Sequence, residues 1–190
     1  KAISMDPKNY DRLIEIYEAL ADYGYREVGQ EYLQNVLNTD KKLDAYDSGR
    51  IYYYLGDYQK AYLALEEAKG KGGVDSYLYL GKAYAATGDY NYASSVYSNY
   101  LSKQGPDAEI YNQLGLCELA KKDYQKALEA FQAGKQIEGN SLMQTLSFNE
   151  IVAYEYLQDY QKAAVLLKAY LQNYPDDQAA IREQQFLSTR

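Results

Sequence analysis

Residues 76–101, SYLYLGKAYAATGDYNYASSVYSNYL, read as two helices joined by a Thr-Gly-Asp turn. Apolar or small residues recur at i, i+3, i+4 and i+7 on both sides of that turn, the spacing of an amphipathic helix. Gly88 suits a left-handed helix stop, and the carboxylate of Asp89 can cap the helix that follows. Gly81 has no side chain and Ala93 a single methyl, so two antiparallel helices can approach at the near end of the usual ~8–10 Å interaxial range. Tyr84 and Tyr90 are placed to fill the space around that contact.

The same grammar runs outward along the chain. An Asp-Tyr pair recurs at Asp22, Asp57, Asp89, Asp123 and Asp159, with spacings of 35, 32, 34 and 36 residues. Ala61, Ala93, Ala127 and Ala163 lie four residues after an Asp, and Gly49, Gly81 and Gly115 eight before one. A period in the thirties is the mark of stacked helix pairs. The expected fold is therefore all-α, an elongated array whose core is spread along an axis. Breakers at 38–40, 70–73, 104–106 and 138–140 separate successive units. They divide the chain into residues 7–41, 42–73, 74–107, 108–143 and 144–175, with a capping helix at 176–190. Residues 1–6 read as the tail of a preceding repeat helix stopped at Asp6-Pro7, so the chain is expected to continue a longer array. Ser141 to Gln144 reads as a capping box, and Asp176 or Asp177 can cap a last helix ending near Leu187. The first unit departs from the pattern: Arg26 stands where Ala is expected, and Gly24-Tyr25 offers an alternative turn that lengthens the first helix by two residues.

Composition narrows the chemistry. The chain has 25 Tyr against 3 Phe and no Trp, so phenol rings supply much of its apolar area while their hydroxyls reach water or polar partners. A net charge of −7 repels phosphate backbones and anionic membrane surfaces, which disfavours nucleic acid as a partner. There is no histidine, and Cys117 is the only cysteine. Imidazole acid/base chemistry, His-activated nucleophiles and the usual zinc sets are removed together, and Cys117 is expected to be buried packing. The acidic residues are scattered over helix surfaces with no glycine-rich phosphate loop, so no enzyme, cofactor or metal site is expected. No stretch approaches the ~20 apolar residues of a membrane span.

A small residue, a Tyr three later, then Gly-Asp-Tyr, an Ala three after that Tyr and an Asp-Pro or Tyr-Pro exit together resemble the tetratricopeptide repeat. The resemblance covers essentially the whole chain and is strongest over 42–138 and 144–175. It implies a right-handed superhelical solenoid whose first helices line a concave groove that binds extended or helical peptides. Counting back from each Asp-Tyr places Tyr46, Arg50 and Tyr53, then Tyr79 and Lys82, in that groove. The fourth unit offers Asn112 beside Glu109 and Gln113, and the fifth Phe148, Asn149 and Tyr156 beside Val152. Arg50 and Lys82 would meet a carboxylate or backbone carbonyls, the rings would supply contact area, and the amides would hold a peptide backbone. Against this, Tyr10, Tyr17, Tyr23, Tyr52, Tyr58, Tyr77, Tyr84, Tyr90, Tyr111, Tyr124, Tyr154 and Tyr160 fall on packing slots and are expected in the core.

The Lys/Asn, Asn, Lys/Arg clamp by which chaperone-binding relatives hold a C-terminal carboxylate has no counterpart. Asp11 and Glu15, or Tyr46 and Arg50, occupy the opening slots, and Glu109 with Gln113, or Thr145 with Asn149, the closing ones. A chaperone tail ending in EEVD is therefore a disfavoured ligand. The expected function is a non-catalytic scaffold that captures a protein or peptide segment. The alternatives left open are self-assembly through the uncapped N-terminal end into a homo-oligomer, and the sensing part of a regulatory receptor. The closing 44 residues are also similar to the end of repeat-containing lipoproteins of Gram-positive bacteria, which implies an extracytoplasmic, lipid-anchored location, with the cytoplasm as the alternative.

Overall fold

The computed structural model describes residues 9–40, 42–68 and 70–190. The expected helix tail at 1–6 and the stop at Asp6-Pro7 lie outside the described residues. Contacts divide the chain into two units, 1–88 and 89–190. The first holds α1 (Tyr10–Asp22), α2 (Arg26–Thr39), α3 (Ala45–Leu55), α4 (Tyr58–Ala68) and α5 (Val74–Ala86). The second holds α6 (Tyr90–Gln104), α7 (Ala108–Ala120), α8 (Tyr124–Lys135), α9 (Met143–Tyr156), α10 (Tyr160–Asn173) and α11 (Gln178–Leu187). Within each unit every helix packs on its neighbour in sequence.

The repeated turn works as its residues require. Gly56 ends α3 at φ +81°, and the Asp57 carboxylate accepts from the Lys60 amide at 3.2 Å. Asp89, Asp123 and Asp159 do the same for the amides of Tyr92, Lys126 and Lys162. In the last two turns the left-handed position falls to Lys122 and Gln158, both at φ 63°. A side chain there costs about 1–2 kcal/mol over glycine. Set against the extra freedom glycine has in the unfolded chain, Lys122→Gly and Gln158→Gly should each raise stability by up to about 1 kcal/mol. Urea unfolding followed by circular dichroism checks this, and a loss of stability in both would contradict it.

Close packing in α3–α4 and α7–α8 rests on one missing side chain. A Cβ on Gly49 would lie 2.5 Å from Leu65 Cγ, and one on Gly115 would lie 2.3 Å from Phe131 Cε1. Leu65 and Phe131 are fully buried, so neither can move into solvent. The first pair achieves the same fit with the sizes exchanged. Gly24 (φ +83°) makes its turn, which shifts α2 so that Gly29, not Arg26, takes the small slot, where a Cβ would lie 2.8 Å from Tyr17 Cδ2. Tyr25 stands where the other turns have Asp, and α2 accordingly has no side-chain cap.

This shift corrects one core assignment. Tyr23 is 82% exposed, because the turn has moved past it, whereas the other eleven packing-slot tyrosines are buried or half-buried. A second correction concerns α9, whose N-terminus has no side-chain cap from Ser141. Asn140 closes that turn instead, accepting from the Leu142 amide at 3.0 Å and donating to the Ile137 carbonyl at 2.7 Å. Asp177 caps α11 through the amides of Ala179 and Ala180, as expected, and also accepts from the Tyr170 hydroxyl at 2.5 Å. Ala180 and Leu187 seal the end of the second unit over Leu167 and Tyr170. Cys117 is buried, and burial pushes its thiol up to about 12, out of the range of a reactive thiolate.

Candidate peptide-binding surface

In the first unit Tyr46, Arg50 and Tyr53 follow one another at i, i+4 and i+7 along α3. Arg50 is held inside the protein. One end of its guanidinium meets Asp11 on α1 at 2.5 Å, the other meets Asp47 at 2.5 Å, and the plane lies over the Tyr46 ring, 4.3 Å from its centroid. With a side chain only 7% exposed and its outer nitrogens on carboxylates, Arg50 braces α3 against α1 and is not placed to receive a ligand carboxylate. The sequence register could not supply its two partners.

Beyond Arg50, aromatic rings from three first helices meet. Tyr53 on α3 and Tyr79 on α5 lie edge to face at 5.6 Å, and Tyr54 packs on Tyr79 at 5.9 Å and on Tyr17 of α1 at 5.2 Å. The Tyr54 hydroxyl donates to Glu18 at 2.5 Å, so the Tyr79 hydroxyl, 2.9 Å away, must donate to Tyr54. Burial first, and then the bond to Glu18, hold the Tyr54 phenol far above its ordinary range. Tyr54 was not among the residues singled out from the sequence. It sits in the run Tyr52-Tyr53-Tyr54, where letters alone do not show which ring reaches which neighbour. Lys82, also on α5, is half-buried.

In the second unit the amide selected on α7 meets the one on α9: Asn149 Nδ2 donates to Asn112 Oδ1 at 2.8 Å. Asn112 is buried and Asn149 half-buried. Gln113 and Glu109 engage one another at 2.9 Å. Phe148 turns toward Tyr170, 5.7 Å away, and joins the apolar cluster that seats α11, which makes it a packing residue first. Tyr156, by contrast, is 54% exposed and stacks flat on Tyr124 at 4.9 Å. Buried Glu150 on α9 is neutralised by Lys135 at 2.5 Å and accepts from Gln132 at 2.9 Å, tying α8 to α9. Glu155 is pushed up to about 7, by burial first and then by Glu183 of α11.

Among the described residues, no group of three or more Cys, Asp or Glu is placed to hold a metal ion, and no helix is long and apolar enough to cross a membrane.

Residues 78–141 match one sequence model of the tetratricopeptide repeat, and residues 148–177 match another. No curated protein matches the chain by sequence. Solved structures do match. TTC0263, a thermophilic TPR protein of Thermus thermophilus, is 15% identical with a TM-score of 0.71, covering 95% of this chain and all of its own. YrrB, described as a TPR protein with an unusual peptide-binding site, is 20% identical with a TM-score of 0.64 over 97% of this chain and 96% of its own. The second TPR domain of human RPAP3, solved with the HSP70 peptide SGPTIEEVD, is 16% identical with a TM-score of 0.52, over 58% of this chain and 90% of its own. At these identities the likeness is one of fold, that of the all-α tetratricopeptide solenoids.

Proposed function

Because this chain is a tetratricopeptide repeat protein, we propose that it works as a non-catalytic scaffold, binding a peptide segment or partner protein along the groove faces of its first helices. The observation that supports this reading is that side chains selected at repeat spacing touch across successive first helices. Tyr53 meets Tyr79 in one unit, and Asn112 meets Asn149 in the other. A surface of half-buried rings and shared amides suits a peptide, since rings give contact area at low entropic cost and amides pair with a backbone. Tyr46, Tyr53, Tyr79, Lys82, Asn149 and Tyr156 are the proposed contacts, with Asn112 holding Asn149 and Phe148 supporting the face from behind. Arg50 acts at one remove, by fixing Tyr46.

The test is site-specific photocrosslinking in an extract of the native cell. Benzoylphenylalanine placed at Lys82 or Tyr156 should capture a partner, whereas the same probe at Tyr92 on α6 or Val165 on α10, exposed positions on second helices, should not. Tyr156→Ala should then weaken the captured partner's binding about tenfold, the loss of one good interface anchor. Capture from Tyr92 or Val165 with none from Lys82 or Tyr156 would overturn the reading.

A further inference from the structure

An open cleft of about 460 Å³ lies in the first unit, where α1 and α3 end and α2 and α4 begin. Its walls are Tyr17, Tyr53, Tyr54 and Tyr58, with Glu18 and Asp22 on the α1 side. The rings do not stack on one another: Tyr53 meets Tyr54 at 80° and Tyr58 at 55°, and Tyr17 meets Tyr54 at 60°. Tyr17 is buried and forms the floor, whereas Tyr53, Tyr54 and Tyr58 are only half-buried, so an occupant would meet the accessible parts of these three inclined rings. Each ring face carries the negative lobe of a quadrupole, which attracts a cation.

We propose that this cleft receives the cationic head of a lysine or arginine side chain presented by the bound peptide. Two features select a cation over other guests. Glu18 accepts from the Tyr54 hydroxyl through one carboxylate oxygen, which fixes the carboxylate at the wall. Asp22, the last residue of α1, adds a second carboxylate at the mouth. Arg26, the first residue of α2, is the one cation among the described residues of the lining and is exposed, so these residues keep a net negative charge. A carboxylate or phosphate would face two like charges, and a plain apolar side chain would strand phenol hydroxyls and carboxylates without water. The net charge of −7 adds long-range attraction for a basic peptide.

This deepens the scaffold reading, since it rests on a peptide being the partner, but it can fail separately. The probe is the blocked tripeptide acetyl-Ala-Arg-Ala-amide, compared with the same peptide carrying neutral citrulline in place of arginine. Binding is read from the tyrosine ring resonances of the full chain by NMR. The arginine peptide should shift the rings of Tyr17, Tyr53, Tyr54 and Tyr58 saturably, with a dissociation constant in the millimolar range, and the citrulline peptide should bind at least about fivefold more weakly. Glu18→Gln keeps the acceptor for Tyr54 while removing the charge, and together with Asp22→Asn it should erase the preference for arginine. Raising the salt concentration should weaken binding of the arginine peptide alone. Equal binding of the two peptides, an unchanged preference in the double variant, or arginine-induced shifts confined to other tyrosines would overturn the assignment. Crosslinking from Lys82 and Tyr156 is unaffected by any of these results, so the scaffold reading stands or falls on its own experiment.

Discussion

Gly115→Leu should cost about 3 kcal/mol or more and lower the midpoint of thermal unfolding by roughly 6–12 °C, the shift such a loss produces in a chain of this length. The Cβ alone would stand 2.3 Å from Cε1 and 2.7 Å from Cδ1 and Cζ of Phe131, a ring with no exposure to solvent. The ring is hemmed in by Ala127, Leu128, Leu146 and Ala153, so α7 and α8 must part, or the ring must leave its place. Parting them exposes surface on both helices, whereas enlarging a residue over an open turn exposes nothing. Circular dichroism melts of Gly115→Leu, and of Gly115→Ala, Phe131→Leu and the Gly115→Ala/Phe131→Leu double variant, separate the causes. The double variant should recover part of the combined loss, since a smaller partner makes room for the methyl. Strict additivity would mean that the two residues do not compete for the same space.

Arg50→Met should destabilise the protein by about 3 kcal/mol at neutral pH, in the range found when one partner of a buried ion pair is removed. Methionine keeps much of the stem's bulk, so the loss reports the charge. The Asp47 side chain is 16% exposed and would remain as a carboxylate without its cation, whereas Asp11, at 75% exposed, simply returns to water. The pH dependence follows from Asp47. Its pKa is already raised, by burial first, even with Arg50 lowering it. Without Arg50 it rises further, so the folded variant binds a proton more tightly than its unfolded chain does. The stability deficit is then small below the unfolded carboxylate range near pH 4 and grows as pH rises through the higher folded value. Subtracting the unfolding free energies of variant and parent from pH 4 to 8 reads this directly. A difference independent of pH would show that Arg50 contributes packing over Tyr46 and little else. Asp47→Asn in the Arg50→Met background should restore much of the loss at pH 7, because the amide can be buried uncharged.

The architecture could be read from the letters because it is dictated locally. A glycine before an aspartate fixes where one helix stops and the next is capped, and the missing side chains of Gly49 and Gly115 announce a close approach eight residues earlier. The same logic failed where chemistry was exchanged between positions. With the turn at Gly24, the expected Ala slot passed to Gly29, and Tyr23 went from packing residue to surface. At the surface, register grouped residues along the first helices but did not show their partnerships. Asn112 and Asn149 meet because a 37-residue offset along the chain is one repeat in space. Arg50 was equally well placed by register, yet what decides its role is Asp11, 39 residues away, and Asp47, one turn back. Whether a cation on a helix face is free or claimed is a tertiary property. Tyr54 was passed over for the same reason, since its importance comes from Tyr17, Glu18 and Tyr79 converging on it.

The reversed fit of Tyr17 and Gly29 bears on how such a chain can be recombined. In the pair α3–α4 the bulk comes from the second helix, as Leu65 sits over Gly49; in α1–α2 it comes from the first, as Tyr17 sits over Gly29. Grafting α3 in front of α2 would leave empty the space Tyr17 fills over Gly29, even with Leu33 standing at the place of Leu65, while α1 in front of α4 would drive Tyr17 toward Ala61 and Leu65. The two polarities are mutually incompatible, so single helices cannot be traded between them. The inheritable part is the hairpin, and a duplication or chimera that cuts at a hairpin's tight turn breaks the lock that a cut between hairpins leaves whole.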